Sequence, residues 1–228
     1  MKKLLMTSLL AAGAAMNAQA DFLGVYVGAQ MWDTDISGDV TPALDTKTDV
    51  DGIDKESNTV LYAAFEHPIP FLPNIRLSQA DIKFDADGDT IDLSFSDLAL
   101  YYEVLDNWVS LDLGLAARKY SGEFDTPDFD SGITGELSSD IDATVPMLYA
   151  RAQFDLPFSG LGIGVDLNTG SSGDDKVQEM NAYLQYETSL GLGFAGGFRQ
   201  LSAEIETDNK STADLDIDGP YLSIFYHL

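Results

Sequence analysis

Four arginines, Arg76, Arg118, Arg151 and Arg199, stand in a 228-residue chain with 38 acidic residues and a formal charge of −26. Each falls between apolar residues of opposite parity. Arg118 follows Leu111, Leu113, Leu115 and Ala117, and Arg151 sits among Leu148, Ala150, Ala152 and Phe154. Glu66, Glu103, Asp112, Asp166, Glu179 and Glu187 share the parity of the arginines in their own segments. Successive side chains of a strand point to opposite faces, so these ten residues predict one charged face. Such a face can cross-link a filled interior by ion pairs and hydrogen bonds. It can equally line a constriction that selects ions or small solutes, cations first in so acidic a chain.

Other chemistry is poorly supplied. The two histidines are His67, in the turn-like His67-Pro68-Ile69-Pro70, and His227, one residue from the end. The topology set out below places both at one end of the molecule, so a histidine-dependent hydrolase would lack its base at the other. Asp214-Leu215-Asp216-Ile217-Asp218-Gly219 opens like an EF-hand loop, yet position twelve is Phe225 instead of the bidentate glutamate. The acidic turns around Asp49, Asp51, Asp85 and Asp87 offer loose Ca²⁺ or Mg²⁺ binding, bridging to lipopolysaccharide phosphates; solvated acidic loops are the simpler reading. Neither a phosphate-cradling Gly-rich loop nor a Ser/His/Asp set stands out, no cofactor is expected, and the negative charge argues against nucleic acid as a partner.

The elements that position the charged face count in twos. Leu23, Val25, Val27, Ala29 and Met31 alternate with Gly24, Tyr26, Gly28, Gln30 and Trp32, and the pattern recurs to Leu228. About ten such segments have the 9–11 residues that a tilted strand needs to cross a bilayer. Long acidic connectors (33–58, 85–90, 121–140, 169–176, 202–218) alternate with tight ones (67–73, 105–107, 156–160, 188–189). The expected fold is all-β: a single antiparallel up-and-down transmembrane barrel of about ten strands over residues 21–228. In lipid no open edge is tolerated, so the first and last strands must pair. Slips of apolar phase predict bulges near Ser78–Ala80 and Ser96–Asp97. Trp32 and Trp108 are placed as interfacial anchors; Tyr101, Tyr102, Tyr120 and Tyr226 join those girdles or fill the interior. Barrels of about eight strands are filled, so ten favours a plugged lumen.

Residues 1–20 read as a secretory signal peptide: Lys2 and Lys3, an apolar run, and Ala18-Gln19-Ala20 before Asp21, with cleavage expected at Ala20–Asp21. There are no cysteines, so an exported chain must be held by packing or by lipid. The final alternation of Leu222, Ile224, Tyr226 and Leu228 resembles the C-terminal assembly signal of Gram-negative outer-membrane proteins, with Leu228 where phenylalanine is commoner. The stretches DFLGVYVGAQMW, EHPIPFLPNIRL, VPMLYARAQFDLPFSGLGIG, GGFR and GPYLSIFYHL together resemble a little-characterised family of small outer-membrane proteins with a Gly-Gly signature, here Gly196-Gly197. That resemblance implies a barrel in the outer membrane of a Gram-negative bacterium, and no established activity. Partners are then outer-membrane lipid, lipopolysaccharide and the assembly machinery. The function expected is non-enzymatic, structural or a narrow channel. The alternatives are an outer-membrane hydrolase, omptin-like or lipid-acting, and a soluble periplasmic ligand-binding barrel with the alternation turned inside out.

Overall fold

The computed structural model describes residues 23–41, 47–51, 53–86, 89–126, 137–141, 143–206 and 212–228. The signal-peptide reading and Asp87 lie outside them. In chain order the strands are β1 (Gly24–Thr41), β2 (Thr48–Asp49), β3 (Glu56–Glu66), β4 (Asn74–Asp81), β5 (Lys83–Ala86), β6 (Asp89–Asp92), β7 (Phe95–Leu105), β8 (Val109–Tyr120), β9 (Gly122–Thr126), β10 (Leu137–Ile141), β11 (Thr144–Leu156), β12 (Leu161–Ser172), β13 (Asp175–Glu187), β14 (Leu192–Glu206) and β15 (Thr212–His227).

Ten of them, β1, β3, β4, β7, β8 and β11 to β15, form one antiparallel sheet that closes on itself through β15 and β1. Tyr26 faces His227 at one end of that seam and Thr41 faces Thr212 at the other. Leu228 donates to the Val25 carbonyl at 2.9 Å and accepts from its N–H at 3.4 Å. Following the pairing round from Tyr26 through Ala64, Arg76, Ala99, Ala116, Met147, Gly170, Val177, Ala203 and Leu215 arrives at Gly38, twelve residues further along β1. That stagger is the shear that tilts strands in a closed barrel. The four tight connections and the β1/β15 ends share one rim, here called lower.

The wall has two storeys, set by which face is apolar. In the lower one the outward residues are apolar: Val27 and Met31 on β1, Leu113 and Leu115 on β8, Leu148 on β11, Leu222 and Ile224 on β15. Leu148 and Leu222 are 61% and 73% exposed on this outer belt. Above it the same outward parity turns polar. Met31 gives way to Asp33, Leu77 to Gln79, Phe198 to Gln200, and Pro220 to Asp218 and Asp216. The inward parity changes the other way, from polar to apolar. Trp32, Ile36, Val60, Ile82, Phe84, Phe95, Val145, Leu201, Leu215 and Ile217 meet in a buried core inside the upper storey. On one side the upper wall is continued by a second sheet in the order β10-β9-β6-β5. Backbone bonds carry the pairing across the breaks, Leu93 N–H to Ile82, Ser121 N–H to Ser94 and Tyr120 N–H to Ala143, each at 2.9 Å.

This inversion corrects two expectations. No bulge occurs at Ser78–Ala80 or Ser96–Asp97: β4 keeps register with β3 and β7 over those residues. The register shift in this region lies at Glu103/Leu105 instead. The apolar pattern slips because the surroundings of the two faces exchange, while the backbone alternation continues unbroken. For the same reason much of the expected loops 33–58, 169–176 and 202–218 is strand. β1 runs on to Thr41, β14 to Glu206, and β15 starts at Thr212. The β12–β13 connection shrinks to Gly173-Asp174. Acidic residues there face out and Ile36, Val40, Ala203, Ile205, Leu215 and Ile217 face in.

Gly219 sits where the storeys meet. Its carbonyl accepts from the Trp32 indole N–H at 3.2 Å, and a Cβ there would lie 1.8 Å from the Asp33 carbonyl oxygen. Gly219→Ala is therefore expected to force β1 and β15 apart at the closing seam. The expected cost is about 1–3 kcal/mol. It would be read as a lower urea midpoint for the heat-resistant folded form on gels.

Candidate functional site: the charged interior

Below the apolar core, inward polar residues meet across the barrel. Arg118 is fully buried and binds Asp97 through two hydrogen bonds, Nε at 2.8 Å and Nη2 at 2.7 Å. Its Nη2 also pairs with Glu179 Oε2. The other oxygen of Glu179 takes Arg199 at 2.6 Å, and Arg199 Nη1 donates to Gln30 at 3.0 Å. A chain Asp97–Arg118–Glu179–Arg199–Gln30 thus spans the lumen from β7 to β1. It is roofed by rings: Arg118 lies 3.6 Å from the Phe95 centroid and Arg199 lies 4.6 Å from that of Trp32. A second group joins Arg151 to Asp166 at 2.7 and 3.2 Å, with Asn181 donating to Asp166 at 3.2 Å.

Aromatic rings take up much of what remains. Tyr62, Tyr183 and Phe225 lie over the inward glycines Gly28, Gly164 and Gly193 of neighbouring strands, where a Cβ would stand 2.4, 2.4 and 2.0 Å from the ring. Glycine supplies the room for each ring to lie flat across the lumen. The residual cavity is about 100 Å³. A larger groove, about 610 Å³, lies between Leu115, Pro146 and Leu148 of the belt and Lys176, Ser202 and Glu204 above it, apart from the interior charges.

The ten residues read as one charged face distribute over three levels. Arg118, Glu179 and Arg199 form the upper network, and Arg151 and Asp166 the middle one. Arg76 lines the cavity with its guanidinium 4.5 Å from the Tyr62 ring. Asp112 is buried opposite Arg151 and Glu103 in register. Towards the lower rim Glu66 accepts from the Tyr101 hydroxyl at 2.7 Å, Glu187 faces His227 at 3.2 Å, and Glu103 is exposed beside the register shift. His227 also stacks on Tyr26, with centroids 3.9 Å apart. His67 holds its own turn: its Nδ1 accepts from the Ile69 N–H at 3.2 Å and its N–H donates to Asn74.

Trp32 is not an interfacial anchor. It is fully buried, because its parity is that of Gln30 and Thr34, and it forms part of the roof. Trp108 is 61% exposed at the lower rim. Tyr102 and Tyr226 face out, whereas Tyr101 and Tyr120 are buried inside. Leu222, Ile224, Tyr226 and Leu228 all face outward. Asp51 accepts from the Gly38 N–H at 3.0 Å, Asp85 is exposed, and the side chain of Asp49 lies outside the described residues. Among the described residues no three acidic or histidine side chains gather as a metal site.

Sequence reasoning missed Asp97, Gln30 and Asn181, whose parity marks them as inward but whose partners lie on distant strands. It also missed the acid rows outside the upper storey. Asp35 faces Asp218 and Asp39 faces Asp214 directly across the seam, an unfavourable like-charge arrangement. Lysines relieve it. Lys55 binds Asp35 at 2.7 Å and Lys47 binds Asp39. The hydrogen bond and charge of Asp35 hold the Lys55 ammonium above the usual lysine range.

No family model matches the chain, and no curated protein matches it. Solved structures of similar form include a FadL homologue of Pseudomonas aeruginosa, at 11% identity over 90% of each chain with a TM-score of 0.39. The outer-membrane protease OmpT of Escherichia coli aligns at 8% identity over 93% of this chain and 100% of that one, TM-score 0.46. The translocator domain of the autotransporter NalP of Neisseria meningitidis aligns at 11% identity over 99% and 95%, TM-score 0.41. Likeness at this level assigns no activity; the closed ten-stranded barrel stands on the pairing of the chain itself.

Proposed function

We propose that the chain is an integral outer-membrane barrel protein of a Gram-negative envelope, non-enzymatic and non-conducting, with a structural role. The observation that carries this is the fully buried Arg118, bound to Asp97 and Glu179 directly under the upper apolar core. An ion crossing the lumen would have to break that network and then enter a packed hydrocarbon core, which costs far more than a hydrated pore does. The plugged reading of the charged face is therefore preferred to the channel.

The membrane reading rests on the outer belt. Lower-storey leucines are exposed on the outer face, and a closed barrel leaves no unpaired edge for lipid. Its partners are then outer-membrane lipid and lipopolysaccharide, and the assembly machinery that would read Leu222 to Leu228. Both histidines lie at the lower rim, committed to a turn and to Glu187, which supports a non-enzymatic role over a hydrolase.

Two measurements test this. Membrane fractionation with a heat-shifted gel mobility should place the protein with folded outer-membrane barrels. Purified protein in planar bilayers should give no discrete conductance in salts of small cations or anions. Unitary current steps that vanish on heat denaturation would overturn the closed lumen and restore the channel.

A further inference from the structure

The residual cavity inside the lumen holds a cation, Arg76, whose charge reaches Asp112 and Asp166 only at longer range. Its lining includes Arg76, Arg151 and Arg199 with the carboxylates Asp97, Asp166 and Glu179. Every oxygen of those carboxylates is engaged. Asp97 gives both to Arg118, Glu179 gives one each to Arg118 and Arg199, and Asp166 gives one to Arg151 and shares the other between Arg151 and Asn181. Arg76 is left over. Among the described residues its guanidinium has no carboxylate within ion-pair distance and no hydrogen bond, only the Tyr62 ring under it. Asp112, the other buried carboxylate nearby, lies outside the cavity lining and beyond contact distance of Arg76, although the two charges interact.

A second group has no partner. Tyr149 lines the same cavity on a side chain 5% exposed, and its buried hydroxyl bonds to no atom of the protein. Arg199 Nε is likewise buried and unpartnered on that lining. All three are donors, and buried donors call for an acceptor. One buried acceptor there, Asn181 Oδ1, is also open.

We propose that this cavity is a binding site for a small oxyanion of carboxylate size, taken by the guanidinium fork of Arg76 with the Tyr149 hydroxyl as second donor. An Arg fork matches a planar oxyanion with two parallel hydrogen bonds. A volume of about 100 Å³ admits an ion of a few heavy atoms. The aromatic residues Tyr62, Tyr183, Tyr221 and Phe225 line the same cavity. The site rests on the closed-barrel reading, in which an ion bound in the lumen has no through path.

The test is calorimetric titration of the folded, detergent-solubilised protein with sodium formate, acetate, nitrate and phosphate at constant ionic strength. Saturable one-site binding is expected for at least one of them. Arg76→Met should weaken it by about tenfold or more, and Arg76→Lys by less, because charge remains but the fork is lost. Tyr149→Phe should weaken it several-fold with no change in folded gel mobility, so the result stands even if an Arg76 variant folds poorly. Absence of saturable binding for all four anions, or equal binding by wild type and both Arg76 variants, overturns the proposal and leaves a water-filled cavity. Conductance is measured separately, so a failed titration leaves the closed-lumen reading untouched.

Discussion

Arg118→Met is expected to destabilise the folded barrel by about 3–5 kcal/mol, the usual cost of leaving a buried charge without its partner. Among the described residues the guanidinium is the only cation paired with Asp97 and one of two paired with Glu179, and it has no exposed surface. Methionine fills similar volume beneath Phe95, so lost packing is a small part of the effect. The pair Arg118→Met with Asp97→Leu should recover most of the loss, since Glu179 keeps Arg199 and no charge remains stranded. Urea titration of the heat-resistant folded form measures both. A single variant within about 1 kcal/mol of wild type would mean that the network contributes little and that water reaches Asp97 freely.

The second large effect compares one substitution at two outward positions of β15. Leu222→Lys places an ammonium on the apolar belt, where the cost near the midplane is about 2–4 kcal/mol. Asp216→Lys places the same group outside the upper storey, where outward residues are polar and a surface change stays within about 0.5 kcal/mol. The two positions share parity and strand, so the comparison reads the medium outside, apart from the exposed Ser202 hydroxyl bond that Asp216 accepts. Equal costs at the two sites would show that the wall has one solvent throughout, and the two-storey account would fail. The inward neighbour Ile217 gives the converse: Ile217→Asp buries an unpaired carboxylate in the upper core and should cost more than either.

How far the sequence carries this fold follows from a single property of strands. Period-two alternation is local, so the strands, their inward faces and the parity of Arg118, Arg151, Asp166 and Glu179 are legible from consecutive residues. The tight connectors and the Pro-rich turn at His67 are equally local. Partners are not. Asp97 binds Arg118 over 21 positions and Glu179 binds it over 61, distances that only register and shear close. Trp32 is instructive, because its neighbours Gln30 and Thr34 declare its side while its size suggests a girdle.

The sequence by itself determined an antiparallel wall with a charged interior face, because side chains must alternate along any extended chain. Only the tertiary structure decided where that wall changes medium, turning acidic segments that look like loops into upper strands and an apparent slip of phase into continuous pairing. The physical reason is that alternation tells two faces apart without saying what lies beyond either. Closure of β15 on β1 settles which face is enclosed at every height, and so where hydrocarbon packs inside the wall and where it lies outside.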